Sequence, residues 1–591
     1  MNDFVTYLNS TNNIDGNQAG TLAEVQITSE YFKRIQVRRQ LGEYITNYIK
    51  RDDHHTFILT GHAGDGKTSI LIQVLLDLGL LSDGEKLSEQ MEYENLYYVK
   101  DMSELSREKQ NEYFEKALCS PEKNRSSILI SNTGPLIKAF ESFEKKYRGI
   151  TDEDYSEEDR ISLQSKLLKQ LDKNSDSTVP FCNHNIFLIN VARLDNVAFA
   201  RRILKNIQSE DLWESCVECR CKDQCPIYNN HIFIASHFNQ VAQFVENYYR
   251  NLFECDKRMT IRQMMCQISY AITANLTCET IQVKYKEFRN PLFYYNFANL
   301  FFGYHGIYPD RNSQQISGIY YIHHLGLDKI SLEDDFNLFV SEKFTDYFDA
   351  RILSVLEPLI SRTRLFYQNG TEENYMDDKE ENALFRQAIR RFYLFYGSVD
   401  NIPFLYNRLY GKFFSNYCDY ISKQMPKAKL NELRNLIFNA LYIKNTGFEP
   451  SQDDRLYLTL RRADDVFQNV MLVLGKLSKD NLRIVQKNVN SMYEDQQSKY
   501  MLSLKIGEKY YPISYPMICY FSELSEGSIS SNSNPSLTHG IATIDTALLE
   551  EYGFEKPEEL DDCEMTLLIN TTSGPKIKKI AIDSDSINIY N

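Results

Sequence analysis

Apolar and polar positions alternate with different periods along the chain, and the changes mark candidate domains. Residues 1–25 show no periodicity and read as a loose polar leader. From Ser29 the apolar positions Ile35, Val37, Leu41, Tyr44, Ile45 and Tyr48 keep helical spacing, which predicts one helix up to the charged turn at 50–55. The run TFILT (56–60) predicts a buried strand, and 68–80, with Ile70, Leu71, Val74, Leu75, Leu78 and Leu80, an apolar helix. Further all-apolar runs at 96–100 (LYYVK), 127–131 (SILIS) and 186–191 (IFLINV) predict strands, separated by helical spacing over 103–118, 134–147 and 157–172. Strands that are apolar throughout and alternate with helices indicate a parallel sheet covered on both faces.

From about residue 230 to 480 the spacing is mostly helical, as in 259–274 (MTIRQMMCQISYAITA) and 381–396 (ENALFRQAIRRFYLFY). The acidic stretch 368–382 lacks apolar periodicity and predicts an exposed loop. After about 498 the period shortens. Strands are expected at 501–506, 510–521, 565–570 and 576–582, with a Ser/Asn-rich loop at 525–536. No internal repeat has a fixed period. The expected organisation is a leader and helix (1–50), an α/β domain (51–280), a helical domain (281–497) and a small β-rich C-terminal domain (498–591).

A length of 591 residues exceeds what one core supports and agrees with that division. The 42% hydrophobic and 25% charged content is that of an ordinary soluble protein. No apolar run is long enough to span a membrane, and the first twenty residues have neither the basic start nor the apolar stretch of a secretory signal. The expectation is a cytoplasmic protein with no membrane partner. A net charge of −15 argues against a globally basic nucleic-acid binder but leaves room for a local basic channel. The 40 Tyr and 34 Phe are read as compositional bias rather than an aromatic binding platform.

The strongest chemical signal lies between the strand at 56–60 and the helix at 68–80. Gly61-His62-Ala63-Gly64-Asp65-Gly66-Lys67-Thr68-Ser69 meets the spacing G-x-x-x-x-G-K-[ST]. Glycines let successive amides point at one anion, and the following helix presents its positive end to it. Lys67 supplies a mobile, solvent-accessible charge for phosphate oxygens, and the Thr68 hydroxyl suits Mg²⁺. This predicts a P-loop nucleotide site for ATP and Mg²⁺. The alternative is an ordinary glycine-rich strand-to-helix turn.

Hydrolysis also needs a strand-end carboxylate for the Mg²⁺ water shell. LYYVK runs into Asp101, with Glu104 close behind, whereas SILIS runs into Asn132-Thr133-Gly134, without an acid. If LYYVK is an extra strand, SILIS takes the Mg²⁺ position with its acid missing, and Asn190 is the polar sensor of the γ-phosphate. In the simpler order, Asp101 is the Mg²⁺ acid and Asn132 the sensor. Each of these residues could instead be a strand-end polar cap.

Of twelve cysteines, Cys216, Cys219, Cys221 and Cys225 fall within ten residues and the others are scattered. Local C-x2-C spacing brings two thiolates to one metal and the later cysteines complete a tetrahedral S₄ set, so Zn²⁺ is expected. The Cys225-Pro226 ending is shared with iron–sulfur ligation, but the spacing is not the ferredoxin run. His184 or His231 could replace one thiol, and four reduced cysteines on an insertion are the alternative. Arg201, Arg202 and Arg262 are candidates to reach the γ-phosphate. Lys33, Arg34, Arg38 and Arg39 form a basic patch that could track a phosphate backbone or be a solvated helix face.

GHAGDGKTS near the start, the N-x-G-x-L of Asn132, Gly134 and Leu136, and the C-x2-C-x5-C-P-I-x-x-N of Cys216, Cys219, Cys225, Pro226, Ile227 and Asn230 occur together. With the helix TIRQMMCQISYAIT and a β-rich tail, the chain resembles the DptF family over most of its length. That family is the ATPase component of the bacterial DNA phosphorothioation-dependent restriction system. The resemblance implies an antiphage defence role with partner subunits, acting on DNA directly or through those partners. An acid is expected after the asparagine of N-x-G, where this chain has Thr133, so nucleotide binding is implied more directly than hydrolysis.

Overall fold

Five consecutive buried residues form β1 (Thr56–Thr60), and their apolar side chains on both faces require a covered, central strand. In the computed structural model β1 pairs in parallel with Ser126–Ile130 on one side and His184–Asn190 on the other. With β2 (Gln90–Glu92), β3 (Leu96–Val99), β4 (Ser126–Ile130), β5 (Val179–Phe181) and β6 (His184–Asn190), the sheet order is β2-β3-β4-β1-β6-β5. β3 is parallel to β4, and only the short edge strands β2 and β5 are antiparallel. One apolar cluster, with Phe57, Leu59, Ile70 and Leu71, covers one face of the sheet. Another, with Ile58, Leu129, Phe140 and Leu188, covers the other. The protein is therefore a mixed α/β structure around a mostly parallel sheet.

The structure describes residues 1–12, 29–82, 84–173, 177–284, 286–287, 290–339, 342–357, 359, 379–399, 401–450, 454–460, 469–489, 493, 498–528, 535–554, 562–571, 574–583 and 586–590. They fall into two units. The first comprises Met1–Phe253, Lys257–Ile402 and Ser491–Gln496; the second, Glu254–Asp256, Pro403–Asn490 and Gln497–Asn591. Among the described residues no helix is long and apolar enough to cross a membrane.

The leader is not loose where it is described. Asp3–Thr11 forms α1, started by Asn2, whose Oδ1 accepts from the Phe4 amide at 3.0 Å. Phe4, Val5 and Leu8 are fully buried or nearly so, and Thr11 Oγ1 donates to Ser269 Oγ at 2.9 Å. The helix expected from Ser29 to Tyr48 is two helices, α2 (Glu30–Ile35) and α3 (Gln40–Lys50). The break has a tertiary cause. Gln73 takes both backbone groups of Arg39, accepting from its amide at 2.8 Å and donating to its carbonyl at 2.9 Å, so residues 36–39 run extended.

Downstream, α4 (Lys67–Asp77), α5 (Arg107–Leu118), α6 (Thr133–Arg148) and α7 (Glu157–Lys173) take the expected helical positions within a few residues. The expected helical domain is divided: 281–402 belongs to the first unit, and the helices Ile402–Tyr410 and Lys427–Thr446 lie at or beyond its boundary in the second. The β-rich part begins at Arg455, earlier than expected. It holds a five-stranded antiparallel sheet (Arg455–Leu460, Val470–Ser478, Asp562–Thr571, Gly574–Asp583, Ile587–Tyr590) and a three-stranded one (Arg483–Asn488, Tyr500–Ile506, Lys509–Pro512). The strand expected over 510–521 stops at Pro512, and Tyr515–Ser525 is a helix entered through Pro516. Residues 368–378 and 529–534 of the two expected loops lie outside the described residues.

Candidate functional site

The loop between β1 and α4 is held by its own aspartate. Asp65 is buried; its Oδ2 accepts from the His62 amide at 2.8 Å and its Oδ1 receives Arg258 at 2.5 Å. Arg39, also buried, donates to the Asp65 carbonyl at 3.2 Å and lays its guanidinium 4.5 Å from the Phe199 ring centre. Gly64 must be glycine on two counts. Its φ is +87°, and a Cβ there would sit 3.0 Å from Thr260 Oγ1. Gly66, at φ +82°, turns the chain into the helix. Among the described residues the amides of Gly64, Gly66, Lys67 and Thr68 find no acceptor in the protein. They are the orphan donors of a helix start, gathered on one loop.

Lys67 is buried rather than solvent-accessible, because it folds back over the loop. Its Nζ donates to Gly61 O at 2.8 Å, His62 O at 3.0 Å and Asn132 Oδ1 at 3.3 Å. Burial lowers its pKa. Asp65 and Asp101 offset part of this, and the Arg262 charge adds to the lowering.

The loop opens on a cavity of about 450 Å³ that brings together much of what the sequence singled out. His62, Ala63, Gly64, Gly66, Thr68 and Ser69 line it with Lys67, and Asp101, Glu104 and Asn132 reach it from the ends of β3 and β4. Those two strand ends are tied. Asp101 Oδ1 accepts from the Ser103 amide at 2.8 Å, and Ser103 Oγ accepts from the Asn132 amide at 2.8 Å. Asp101 is thus a strand-end cap and also a wall of the cavity. Thr133 bonds Thr60 through their hydroxyls at 3.2 Å. Asn190 is not part of this set. Its Oδ1 accepts from the Ala192 amide at 3.1 Å and caps the turn after β6.

The three candidate arginines separate clearly. Arg201 is paired with Glu246 at 2.8 Å, and Arg202 stacks over Phe199 at 5.5 Å; neither lines the cavity. Arg262, at the start of α8 (Ile261–Thr273 of the first unit), lines it. Its amide donates to Gly64 O at 3.4 Å. Its guanidinium is half-buried, burial lowers its pKa, and among the described residues it has no carboxylate or hydrogen-bond partner. Of the basic patch, Arg39 is internal, whereas Arg38, paired with Asp77 at 2.7 Å, and Arg34, paired with Asp211, keep exposed side chains, as a solvated face does.

The apolar part of the lining was not foreseen: Tyr7 from α1, Phe32, Ile35 and Val37 around the helix break, and Ile203 and Met265 line the same cavity. The Tyr7 phenol is buried, its pKa is raised by that burial, and its hydroxyl makes no hydrogen bond among the described residues. The signal in the sequence is the Asn2 cap followed by Phe4, Tyr7 and Leu8 at helical spacing.

The cysteine cluster lines a separate cavity, of about 360 Å³. Neither expected histidine joins it. His184 sits near Glu122 at 3.7 Å, and His231 stacks on Trp213 at 4.8 Å with its Nδ1 2.7 Å from Gln208 Oε1. In the side-chain conformations present, no three His, Cys, Asp or Glu side chains among the described residues stand close enough to hold one metal ion.

Comparison with known proteins finds no matching family model, no similar curated protein and no similar solved structure.

Proposed function

We propose that the cavity at Gly61–Ser69 binds ATP with Mg²⁺ and that the chain hydrolyses it as a subunit of a bacterial DNA-restriction or antiphage complex. The complex is the one that the resemblance to the DptF family implies. The observation that carries the nucleotide reading is the composition of one cavity. Unpaired loop amides, Lys67, an arginine without a partner among the described residues, a strand-end carboxylate and apolar side chains all line it. An anion answers the amides and cations, a divalent cation the carboxylate, and a flat nucleobase the apolar side chains.

In this reading the amides of Gly64, Gly66, Lys67 and Thr68 hold phosphate oxygens, and Lys67 exchanges its loop carbonyls for them. The Thr68 hydroxyl and Asp101 hold the Mg²⁺ shell, and Mg²⁺ supplies charge neutralisation to the transferring phosphoryl group. Asn132 orients the attacking water or senses the terminal phosphate, and Arg262 offsets charge that develops there. A slow nucleotide switch is the second reading, favoured because the Asp101 carboxylate is already engaged by the Ser103 amide. DNA-stimulated turnover supports the first reading, and tight nucleotide retention without turnover the second. The nucleotide site itself is tested by calorimetry with ATP and Mg²⁺ on the wild type and on Lys67→Ala. Affinity should fall at least tenfold, about 1.4 kcal/mol, on loss of a charge-assisted contact. Unchanged affinity in a folded variant refutes the site.

A further inference from the structure

Tyr7 is only 7% exposed, lines the cavity of the Gly61–Ser69 loop, and has no hydrogen-bond partner for its hydroxyl among the described residues. A buried phenol normally finds a partner, because desolvating the hydroxyl without one costs free energy. The oxygen is not sealed in by packing. The unpaired hydroxyls of Tyr97 and Tyr410 are closed off completely, whereas the Tyr7 oxygen keeps accessible surface. Its neighbours in the lining are already engaged. The Thr11 hydroxyl, one turn further along α1, lies 2.7 Å from Leu8 O and 2.9 Å from Ser269 Oγ, and Gln36 Nε2 donates to Ser69 O at 3.1 Å.

The Tyr7 ring is presented rigidly. It packs against Tyr31 and Phe4, with ring centres 5.8 and 6.3 Å away. The helix that carries it is fastened near both ends: Asn2 Nδ2 donates to Leu212 O at 2.9 Å, Asn9 Nδ2 to Leu276 O at 2.9 Å, and Asn12 Nδ2 to Thr273 Oγ1 at 3.1 Å. A hydroxyl fixed this way loses little conformational freedom when it meets a ligand.

Charge divides the lining into two kinds of group. The loop amides, Lys67 and Arg262 suit an anion. Tyr7 is neutral, and burial raises its pKa, so at neutral pH it offers an uncharged O–H donor. Phe32, Ile35 and Val37 line the cavity with it. A single neutral donor in company with apolar side chains suits the uncharged part of a ligand, where it fixes orientation.

We propose that Tyr7 reads the nucleoside half of the bound nucleotide, its hydroxyl donating to a neutral acceptor on the base or the ribose. This role rests on the nucleotide reading of the cavity, and it makes the N-terminal helix part of the binding site.

The test is calorimetry on the full chain with ATP and Mg²⁺ and, separately, with inorganic tripolyphosphate, for the wild type, Tyr7→Phe and Lys67→Ala. Tyr7→Phe keeps the ring and removes only the hydroxyl. It should raise the Kd for ATP about three- to tenfold, the loss of one neutral hydrogen bond, and leave both the tripolyphosphate Kd and the nucleotide-free Tm unchanged. With 2′-deoxy-ATP the effect of Tyr7→Phe should vanish if the acceptor is the ribose 2′-oxygen and persist if it is on the base. Lys67→Ala should weaken ATP and tripolyphosphate alike. Unchanged ATP affinity in Tyr7→Phe, where Lys67→Ala does weaken it, overturns the role of Tyr7 and leaves the nucleotide site standing. Equal losses for ATP and tripolyphosphate in Tyr7→Phe also overturn it, by moving the hydroxyl to the phosphates. Unchanged ATP affinity in a folded Lys67→Ala refutes the nucleotide reading itself.

Discussion

Arg262→Ala separates a ligand-binding arginine from a structural one by giving opposite results in two measurements on the same sample. In the structure the Arg262 guanidinium is half-buried beside the Gly61–Ser69 loop with its pKa lowered by burial, and no carboxylate or carbonyl among the described residues repays that desolvation. Removing it should therefore leave the nucleotide-free protein within about 0.5 kcal/mol of wild type, or slightly more stable. Binding should respond differently. One charge-assisted hydrogen bond to a phosphate oxygen contributes about 1.5–3 kcal/mol, which is about a 10- to 150-fold rise in Kd for ATP with Mg²⁺. Titration calorimetry gives the Kd, and thermal melts with and without nucleotide give both stabilities. The nucleotide-induced rise in Tm should shrink while the apo Tm holds. Arg262→Lys, which keeps the charge but not the fork, should fall between the two. A lower apo Tm with unchanged Kd would make Arg262 a structural residue and remove it from the site.

Asp101→Asn should lower steady-state hydrolysis by well over tenfold, more than about 1.4 kcal/mol, while ATP still binds; undiminished turnover would leave Asp101 only its role as a cap for the Ser103 amide. Acid stability should report His231, whose pKa burial pushes down from 6.5 to about 4, so the fold holds it neutral. Its contribution is complete above about 6.5 and is lost as pH falls from there toward about 4. Urea melts should show a decline of about 1–3 kcal/mol over that window, and His231→Gln should flatten it; an unchanged slope in the variant would assign the decline to other groups.

The α/β core was legible because its strands are buried on both faces, and a fully apolar run between glycine and charged turns has few other fates. TFILT, LYYV and SILI appear within one residue of their expected bounds for that reason. Spacing failed where one side chain overrode it. The apolar positions of 29–48 fit a single helix, but Gln73, more than thirty residues away, takes the amide and carbonyl of Arg39 and stops it. The leader failed for a related reason. Four apolar residues in nine are too few to fold alone, and α1 is stable because Phe4 packs edge-on to Trp213 and Thr11 bonds Ser269.

The glycine loop was legible as a motif because its geometry is local: Gly64 and Gly66 turn the chain at positive φ, and Lys67 folds back onto the carbonyls of Gly61 and His62. What surrounds it depends on pairing over long separations, which spacing does not encode. Arg201, Arg202 and Arg262 are equivalent candidates in the sequence. Glu246, 45 positions beyond Arg201, takes that side chain, Phe199 takes the face of Arg202, and only Arg262 is left with its charge turned to the cavity and no partner among the described residues. Asn132 and Asn190 divide in the same way. Both stand at the end of a parallel strand that pairs directly with β1, but the turn after β6 uses the Asn190 side chain to cap Ala192, whereas Asn132 keeps its own for Lys67. The strand end at Asn132 is tied through its own amide, which donates to the Ser103 hydroxyl at 2.8 Å, while its side-chain oxygen accepts from Lys67 at 3.3 Å; a polar side chain at a strand end meets a neighbouring cation when it does not cap the turn that follows.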